Sequence, residues 1–93
     1  MSQPVPDGDH ADALDFLRER LDRGNECLLV GNARGAINYY ESALGSFAST
    51  GRMAALRDTY IALWNNKAMA HQQLREFVKA QEAMMIANTL AAD

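Results

Sequence analysis

The sequence predicts an all-α protein made of two antiparallel helical hairpins, and three observations support this. Apolar side chains recur at alternating intervals of three and four residues, which is the spacing of one helix face. No segment shows the alternation of apolar and polar residues that is typical of a strand. Small and large residues also recur 44 positions apart, which indicates an internal repeat.

The composition of the 93-residue chain favours one small globular domain, with 48% hydrophobic and 23% charged residues. A net charge of -3 without a long basic face disfavours nucleic acid as a partner. Cys27 is the single cysteine, so an internal disulfide is impossible. The chain shows neither a signal peptide nor an apolar run long enough to span a membrane, and we therefore expect a cytoplasmic protein.

The first hairpin is expected over about residues 9–51, after a flexible tail at residues 1–8 that holds both prolines and a glycine. Asp9 is the expected N-cap of the first helix. The helix ends at Gly31–Asn32, where Asn32 caps the second helix, and Ser49–Gly51 ends that helix. The apolar face of the first helix comprises Leu14, Leu17, Leu21, Gly24 and Leu28, and that of the second Ile37, Tyr40, Ala43 or Leu44, and Phe47.

The second hairpin is expected over about residues 52–91, with a polar break at Arg75–Glu76 between its helices. The third helix presents Met53, Leu56, Tyr60, Leu63, Trp64 and Leu74, and the fourth presents Phe77, Ala80, Met84, Ala87 and Leu90. Because the links are short, successive helices should run antiparallel. Residues 9–93 would then form one helical domain.

The repeat is clearest at the positions where helices must approach closely. Gly24 is followed by Ala36, Tyr40 and Ala43, and Ala68 is followed at the same offsets by Ala80, Met84 and Ala87. Small side chains let two helices come together, and larger ones between them fill the remaining space. The two halves are therefore predicted to pack alike.

These positions, together with Gly24–Asn25, Gly31, Ala36–Ile37, Tyr40 and Ala43–Leu44, resemble the tetratricopeptide repeat family over about residues 17–90. The sequence departs from the family pattern at four positions: Arg20 and Arg23 replace a large aromatic residue and a leucine, and Cys27 and His71 replace a tyrosine. The 44-residue period also exceeds the usual 34. The resemblance implies two stacked repeats with elongated second and third helices.

The resemblance also implies that the first helix of each hairpin lines a groove that holds a peptide or helix of a partner protein. The expected lining is Arg18, Leu21, Asn25, Leu28, Leu29, Ala62, Asn65, Asn66, Met69, Gln72 and Gln73. This lining is largely neutral, so an apolar or amphipathic segment fits it best. Asn25 and Asn66 match two residues of the carboxylate clamp in chaperone-docking members, but Leu21 replaces its first lysine and the third repeat is missing, so we reject a clamp.

A second expectation is self-association or a hetero-complex, because about three repeats are normally needed for a stable stack. Four apolar residues of the last helix are the candidate contact: Val78, Met85, Ile86 and Leu90. The leading hypothesis is an adaptor or chaperone-like binding module, and the alternative is an assembly subunit whose partner is itself. The sequence leaves open whether the groove or the last helix is the main binding surface.

Catalytic, metal and cofactor sites are not expected. Cys27 and His71 occupy equivalent repeat positions on neighbouring helices, which favours packing over a nucleophile and base. His10 with its neighbouring aspartates reads as a solvated helix start, since no second histidine or cysteine is near. The Gly31–Gly35 segment lacks the preceding strand and following Lys-Ser or Lys-Thr of a phosphate loop.

Overall fold

Four helices make up the part of the chain that the structure describes. The computed structural model describes residues 6–46 and 54–92, with side chains for residues 12–45 and 56–92. Helix α1 spans Pro6–Leu29, α2 spans Ala33–Ser46, α3 spans Ala54–Gln73 and α4 spans Phe77–Ala92. Within these residues there is no strand, and the all-α prediction is confirmed. Phe47, Met53 and the expected stop at Ser49–Gly51 lie outside the described residues.

Helix α1 begins at Pro6, three residues before Asp9, which the sequence suggested as its cap. The last three residues of the predicted flexible tail are therefore helical. Proline is compatible with this place because its fixed φ suits the first helical position and the first helical N–H groups have no partner within the helix. Residues 1–5 of the predicted tail lie outside the described residues.

The turn after α1 is closed by two backbone hydrogen bonds. Asn32 N donates to Cys27 O over 2.7 Å, and Gly31 N donates to Leu28 O over 3.0 Å. Gly31 has a φ of +83°, the left-handed conformation that this C-terminal motif requires. Asn32 then caps α2 as predicted, because its Oδ1 accepts a 3.0 Å hydrogen bond from Gly35 N.

The turn after α3 repeats this arrangement 44 positions later. Glu76 N donates to His71 O over 2.8 Å, and Arg75 N donates to Gln72 O over 3.0 Å. Arg75 takes the place of Gly31 and has a φ of 59°, which is uncommon for a residue with a side chain. The internal repeat thus extends to the backbone hydrogen bonds of both turns.

Close packing of α1 against α2 depends on the small residues that the repeat identified. Gly24 is buried against the ring of Tyr40, and Ala36, Tyr40 and Ala43 are fully buried. In the second hairpin Ala68, Ala80 and Ala87 are buried at the equivalent positions, while Met84 is half-buried. The predicted close approach of paired helices is confirmed at these positions.

Helix α3 is the central helix, since it packs against α1, α2 and α4. Leu56, Leu63, Ala68 and Ala70 of α3 have no exposed surface. Leu56, Leu63 and Ala70 are seven residues apart and share one side of the helix, whereas Ala68 lies on another side. Two sides of α3 are therefore buried, which explains why its sequence shows no single sharp apolar face. The core that α3 completes also contains Leu17 and Tyr40 from the first hairpin.

Helix α4 differs from the prediction at its first residue. Phe77 was expected in the packing face, but it is 60% exposed. The buried residues of α4 are Ala80, Ala83 and Ala87, so the contact with the rest of the protein is centred on Ala83 and Ala87. At about 100° per residue, Phe77 lies at the margin of that face and points out of the core.

Candidate binding groove

A cavity of about 330 Å³ lies between α1 and α3, where the sequence placed the groove. Three residues of α1 and three of α3 line it, namely Asn25, Leu28, Leu29, Asn66, Met69 and Gln73. All six belong to the predicted lining. Helical spacing places the three residues from each helix on one side of that helix, and packing of α1 against α3 brings the two sets together.

The other five predicted lining residues lie outside this cavity. Leu21 is half-buried and packs against the core. Ala62 and Asn65 are half-buried on α3, while Arg18 and Gln72 are exposed. The groove is therefore shorter than predicted and is confined to the C-terminal halves of α1 and α3.

Three polar side chains connect the helices beneath the groove. Asn25 Oδ1 accepts a 2.6 Å hydrogen bond from the Tyr40 hydroxyl and a 2.8 Å hydrogen bond from Asn66 Nδ2. Burial raises the pKa of Tyr40 to about 12, with a smaller contribution from Cys27 and an opposing one from the hydrogen bond to Asn66. Tyr40 therefore stays a hydrogen-bond donor at neutral pH, and α1, α2 and α3 are held together at this point.

The groove lining is uncharged and presents apolar side chains to solvent. Leu29 is 87% exposed and Met69 is 48% exposed. Leu28 is half-buried against the core and forms part of the floor. The hydrogen-bonding groups of the lining are the amides of Asn25, Asn66 and Gln73. Apolar rims beside a few amide groups suit a segment with one apolar side.

A second cavity of about 520 Å³, which the sequence did not predict, lies between α2, α3 and α4. Its lining comprises Arg34, Ile37, Asn38, Glu41, Trp64, Lys67, His71, Lys79, Glu82, Ala83 and Ile86. Lys67 Nζ lies 3.3 Å from Glu41 and 4.8 Å from the centre of the Trp64 ring. Much of the charge in this cavity is thus paired within the protein.

Glu76 makes two short contacts, and the one with Arg34 joins the two hairpins at their turns. Glu76 accepts a 2.7 Å hydrogen bond from Arg34 at Oε2 and lies 2.7 Å from His71 Nδ1 at Oε1. The bonds from Arg34 and then His71 lower the pKa of Glu76 to about 2, so the carboxylate is ionised at neutral pH. His71 must then carry a proton on Nδ1, because the carboxylate can only accept. Arg34 and Glu76 are 42 positions apart, and no periodicity of a single helix could have revealed their contact.

The predicted self-association residues do not form one patch. Val78 and Met85 are 71% and 60% exposed on the outer side of α4. Ile86 lies further round the helix and lines the second cavity. Leu90 is half-buried and packs against the core. The exposed large apolar side chains of α4 are thus Val78, Met85 and the 40% exposed Ile86, together with Phe77, which the sequence had placed in the packing face.

The residues considered for chemistry are arranged as follows. His71 is buried and bonded to Glu76, and Cys27 is a half-buried free thiol packed against the core. Among the described side chains there is no group of three or more His, Cys, Asp or Glu residues placed to hold a metal ion. The side chain of His10 lies outside them. No helix of the described residues has the length and apolarity needed to cross a membrane.

The chain was compared with protein-family models, curated proteins and solved structures. No protein-family model matches the chain, no curated protein matches it, and no solved structure matches it.

Proposed function

We propose that this protein is a protein-interaction module, adaptor or chaperone-like, that holds the apolar side of an amphipathic helix or peptide in the groove between α1 and α3. The observation that carries the proposal is the exposure of Leu29 and Met69 on the two rims of one uncharged cavity. Exposed apolar side chains that border a concave site favour a protein partner. A partner residue that fills the cavity would remove both rims from water.

The chemistry of the lining supports an uncharged apolar contact. The cavity contains no lysine, arginine, aspartate or glutamate, so a charged ligand would gain no ion pair there. Asn25 Oδ1 already accepts two hydrogen bonds, so Asn25 is able to offer a peptide only its Nδ2 donor, while Asn66 Oδ1 is able to accept and the amide of Gln73 is able to do both. Leucine or methionine anchors on the partner would pack against Leu28, Leu29 and Met69.

The hydrogen bonds beneath the groove support a site that is formed before the partner binds. Asn25 is bonded both to Asn66 across the groove and to Tyr40 in the core. These bonds fix the relative position of α1 and α3, and a preformed groove spends less conformational entropy on binding. The matching turns and the small residues at Gly24 and Ala68 support the further proposal that the chain is a two-repeat member of the tetratricopeptide family. Because the chain has a single cysteine and cannot form an internal disulfide, we propose that the protein works in the reducing environment of the cytoplasm.

Nuclear magnetic resonance titration with four synthetic helical peptides tests the proposal. One peptide has a leucine face with neutral polar residues, two have the same leucine face with acidic or basic residues, and one is polar throughout. We expect the neutral leucine-faced peptide to shift the side-chain amide signals of Asn25, Asn66 and Gln73. Leu29→Glu and Met69→Glu should each weaken its binding about tenfold or more.

Val78→Glu is the matched control, because Val78 is also an exposed apolar residue but lies on α4. This variant should bind the peptide like the wild type. If none of the leucine-faced peptides shifts the groove amides, or if Val78→Glu weakens binding as much as Met69→Glu does, the groove is not the binding site.

A further inference from the structure

The outer face of α4 is an exposed surface without charge. We define it by six exposed residues, Phe77, Val78, Gln81, Met85, Asn88 and Thr89. At about 100° per residue they cover roughly a third of the helix circumference. The hydroxyl of Thr89 donates a 2.9 Å hydrogen bond to Met85 O, so its polar group is satisfied within the helix. Three large apolar side chains thus share this face, and the carboxylate of Glu82, which lines the second cavity, lies at its margin.

The internal repeat shows what this face corresponds to in the first hairpin. Val78 and Met85 stand 44 positions after Arg34 and Glu41 of α2. Those two charged residues face the second hairpin, where Arg34 meets Glu76 and Glu41 meets Lys67. The outer face of α4 has apolar residues at the positions where α2 uses ion pairs. The surface that packs against this face of α4 should therefore be uncharged and apolar. It should not resemble α3, whose Lys67 pairs with Glu41 of α2.

Head-to-tail stacking of a second molecule does not meet this requirement. In such a stack α1 of the next molecule would take the place of α3, because α1 and α3 are equivalent in the repeat. The exposed side of α1 carries five carboxylates, those of Asp12, Asp15, Glu19, Asp22 and Glu26. Burial of these groups against Val78 and Met85 would cost their hydration without an ion pair in return.

The occupant should be uncharged and apolar, and within the described part of the chain the outer face of α4 has these properties itself. The same face of a second molecule is therefore a suitable partner. We propose that the protein forms a two-fold symmetric homodimer in which α4 of one molecule packs antiparallel against α4 of a second. With the axis near Gln81, Phe77 and Met85 each lie about 6 Å along the helix from the axis. Phe77 of each molecule then meets Met85 of the other, a favourable contact between an aromatic ring and sulfur.

The two Gln81 side chains meet at the axis, where each amide is able to donate to and accept from the other. This dimer leaves the groove between α1 and α3 open, because Leu29 and Met69 belong to other helices. The inference is therefore independent of the function proposed for the groove.

Sedimentation equilibrium tests the dimer. A contact between single helices is smaller than the roughly 800 Å² per partner of a standard interface, so we expect weak association and choose protein concentrations of about 10 μM to 1 mM. We expect a monomer–dimer equilibrium for the wild type. Met85→Glu and Val78→Glu should each raise the dissociation constant about tenfold or more, because each would bury a carboxylate in the apolar contact without an ion-pair partner.

Ile86→Glu is the matched control on the same helix, because Ile86 faces the second cavity. It should leave the dissociation constant within about twofold of the wild type, well under the tenfold that one energetic contact contributes. Circular dichroism of each variant establishes that loss of dimer is not loss of fold. A wild type that stays monomeric throughout, or a dimer that Met85→Glu and Val78→Glu leave intact, would overturn the proposal.

Oxidative cross-linking locates the axis. Gln81→Cys should form a disulfide-linked dimer, whereas Arg18→Cys, on the exposed side of α1, should not. Equal cross-linking of the two variants would indicate random collision and would also overturn the α4 contact.

Discussion

Gly24 of α1 lies so close to Tyr40 of α2 that a Cβ atom at position 24 would be 2.7 Å from Cζ and 2.8 Å from Cδ1 of the ring. The ring has little freedom to move, because Tyr40 is fully buried and its hydroxyl is bonded to Asn25. The distance between α1 and α2 is therefore set by the missing side chain at position 24.

Gly24→Ala should lower the free energy of unfolding by about 1–2 kcal/mol. Overpacking costs about 1–3 kcal/mol, and the better helix propensity of alanine returns up to about 1 kcal/mol. Urea denaturation measures the difference. Gly45→Ala is the control, because no described atom lies within 4 Å of a Cβ there, and it should be neutral or stabilising. Equal stability of the two variants would contradict the packing argument.

Arg75→Gly should raise the free energy of unfolding by about 0.5–1 kcal/mol. Relief of the left-handed backbone at φ 59° is worth about 1–2 kcal/mol, and the greater entropy of unfolded glycine takes back about 0.5–1 kcal/mol. The reverse change at the equivalent turn, Gly31→Ala, should be destabilising by about 1 kcal/mol, since no contact compensates the strain. Thermal unfolding of both variants checks the opposite signs, and a shift in the same direction would refute the explanation.

Asn25 and Asn66 should be energetically coupled. Asn25→Ala removes an acceptor of both Tyr40 and Asn66 and should cost about 1–3 kcal/mol, and Asn66→Ala should cost about 1 kcal/mol. The double variant should lose less than the sum of the two single losses, by about 1 kcal/mol. Denaturation of the four proteins in this cycle measures the coupling, and strict additivity would mean that the contact contributes no stability.

The bonds of Glu76 to Arg34 and His71 should make stability depend on pH in the acid range. The pKa of Glu76 is lowered to about 2 in the folded protein, from an ordinary value of 4.5. The stabilisation of the folded protein by the ionised Glu76 carboxylate is therefore fully present above about pH 4.5 and is lost as the pH falls towards 2. Urea denaturation at several pH values should show Glu76→Gln closest in stability to the wild type at the lowest pH.

Arg34→Gln provides the companion measurement, because Arg34 is the largest cause of the lowered pKa of Glu76. This variant should lose part of the same acid dependence while it keeps the carboxylate. If the stability gap between wild type and Glu76→Gln is the same at pH 6 and pH 2, the proposed linkage is wrong.

Much of the fold follows from patterns that are local in sequence. The three- and four-residue spacing revealed four helices, Gly31 and Asn32 marked the first turn, and small residues such as Gly24 marked the close contacts. Each of these is a property of one helix or one turn. The groove residues, among them Leu29 and Met69, were expected from the resemblance to the tetratricopeptide repeat family, in which the first helix of each hairpin lines a groove.

The remaining features depend on how distant helices meet. The spacing of apolar residues placed Phe77 in the packing face of α4. It could not show that the buried face is centred on Ala83 and Ala87, which leaves Phe77 exposed at its margin. Ile86 follows Met85 in the sequence but lines the second cavity, whereas Met85 lies on the outer side of α4, because adjacent residues point about 100° apart on a helix. The pairing of Arg34 with Glu76 joins two turns whose relative position is decided by the whole packing.

The central position of α3 has a consequence for folding. Its packing surface is shared among α1, α2 and α4, and its buried side chains Leu56, Leu63 and Ala70 belong to the same core cluster as Leu17 and Tyr40 of the first hairpin. Neither hairpin is able to bury these side chains without the other. The two repeats should therefore unfold in one cooperative transition, and the backbone amides around Leu63 should exchange hydrogen for deuterium only when the entire chain opens.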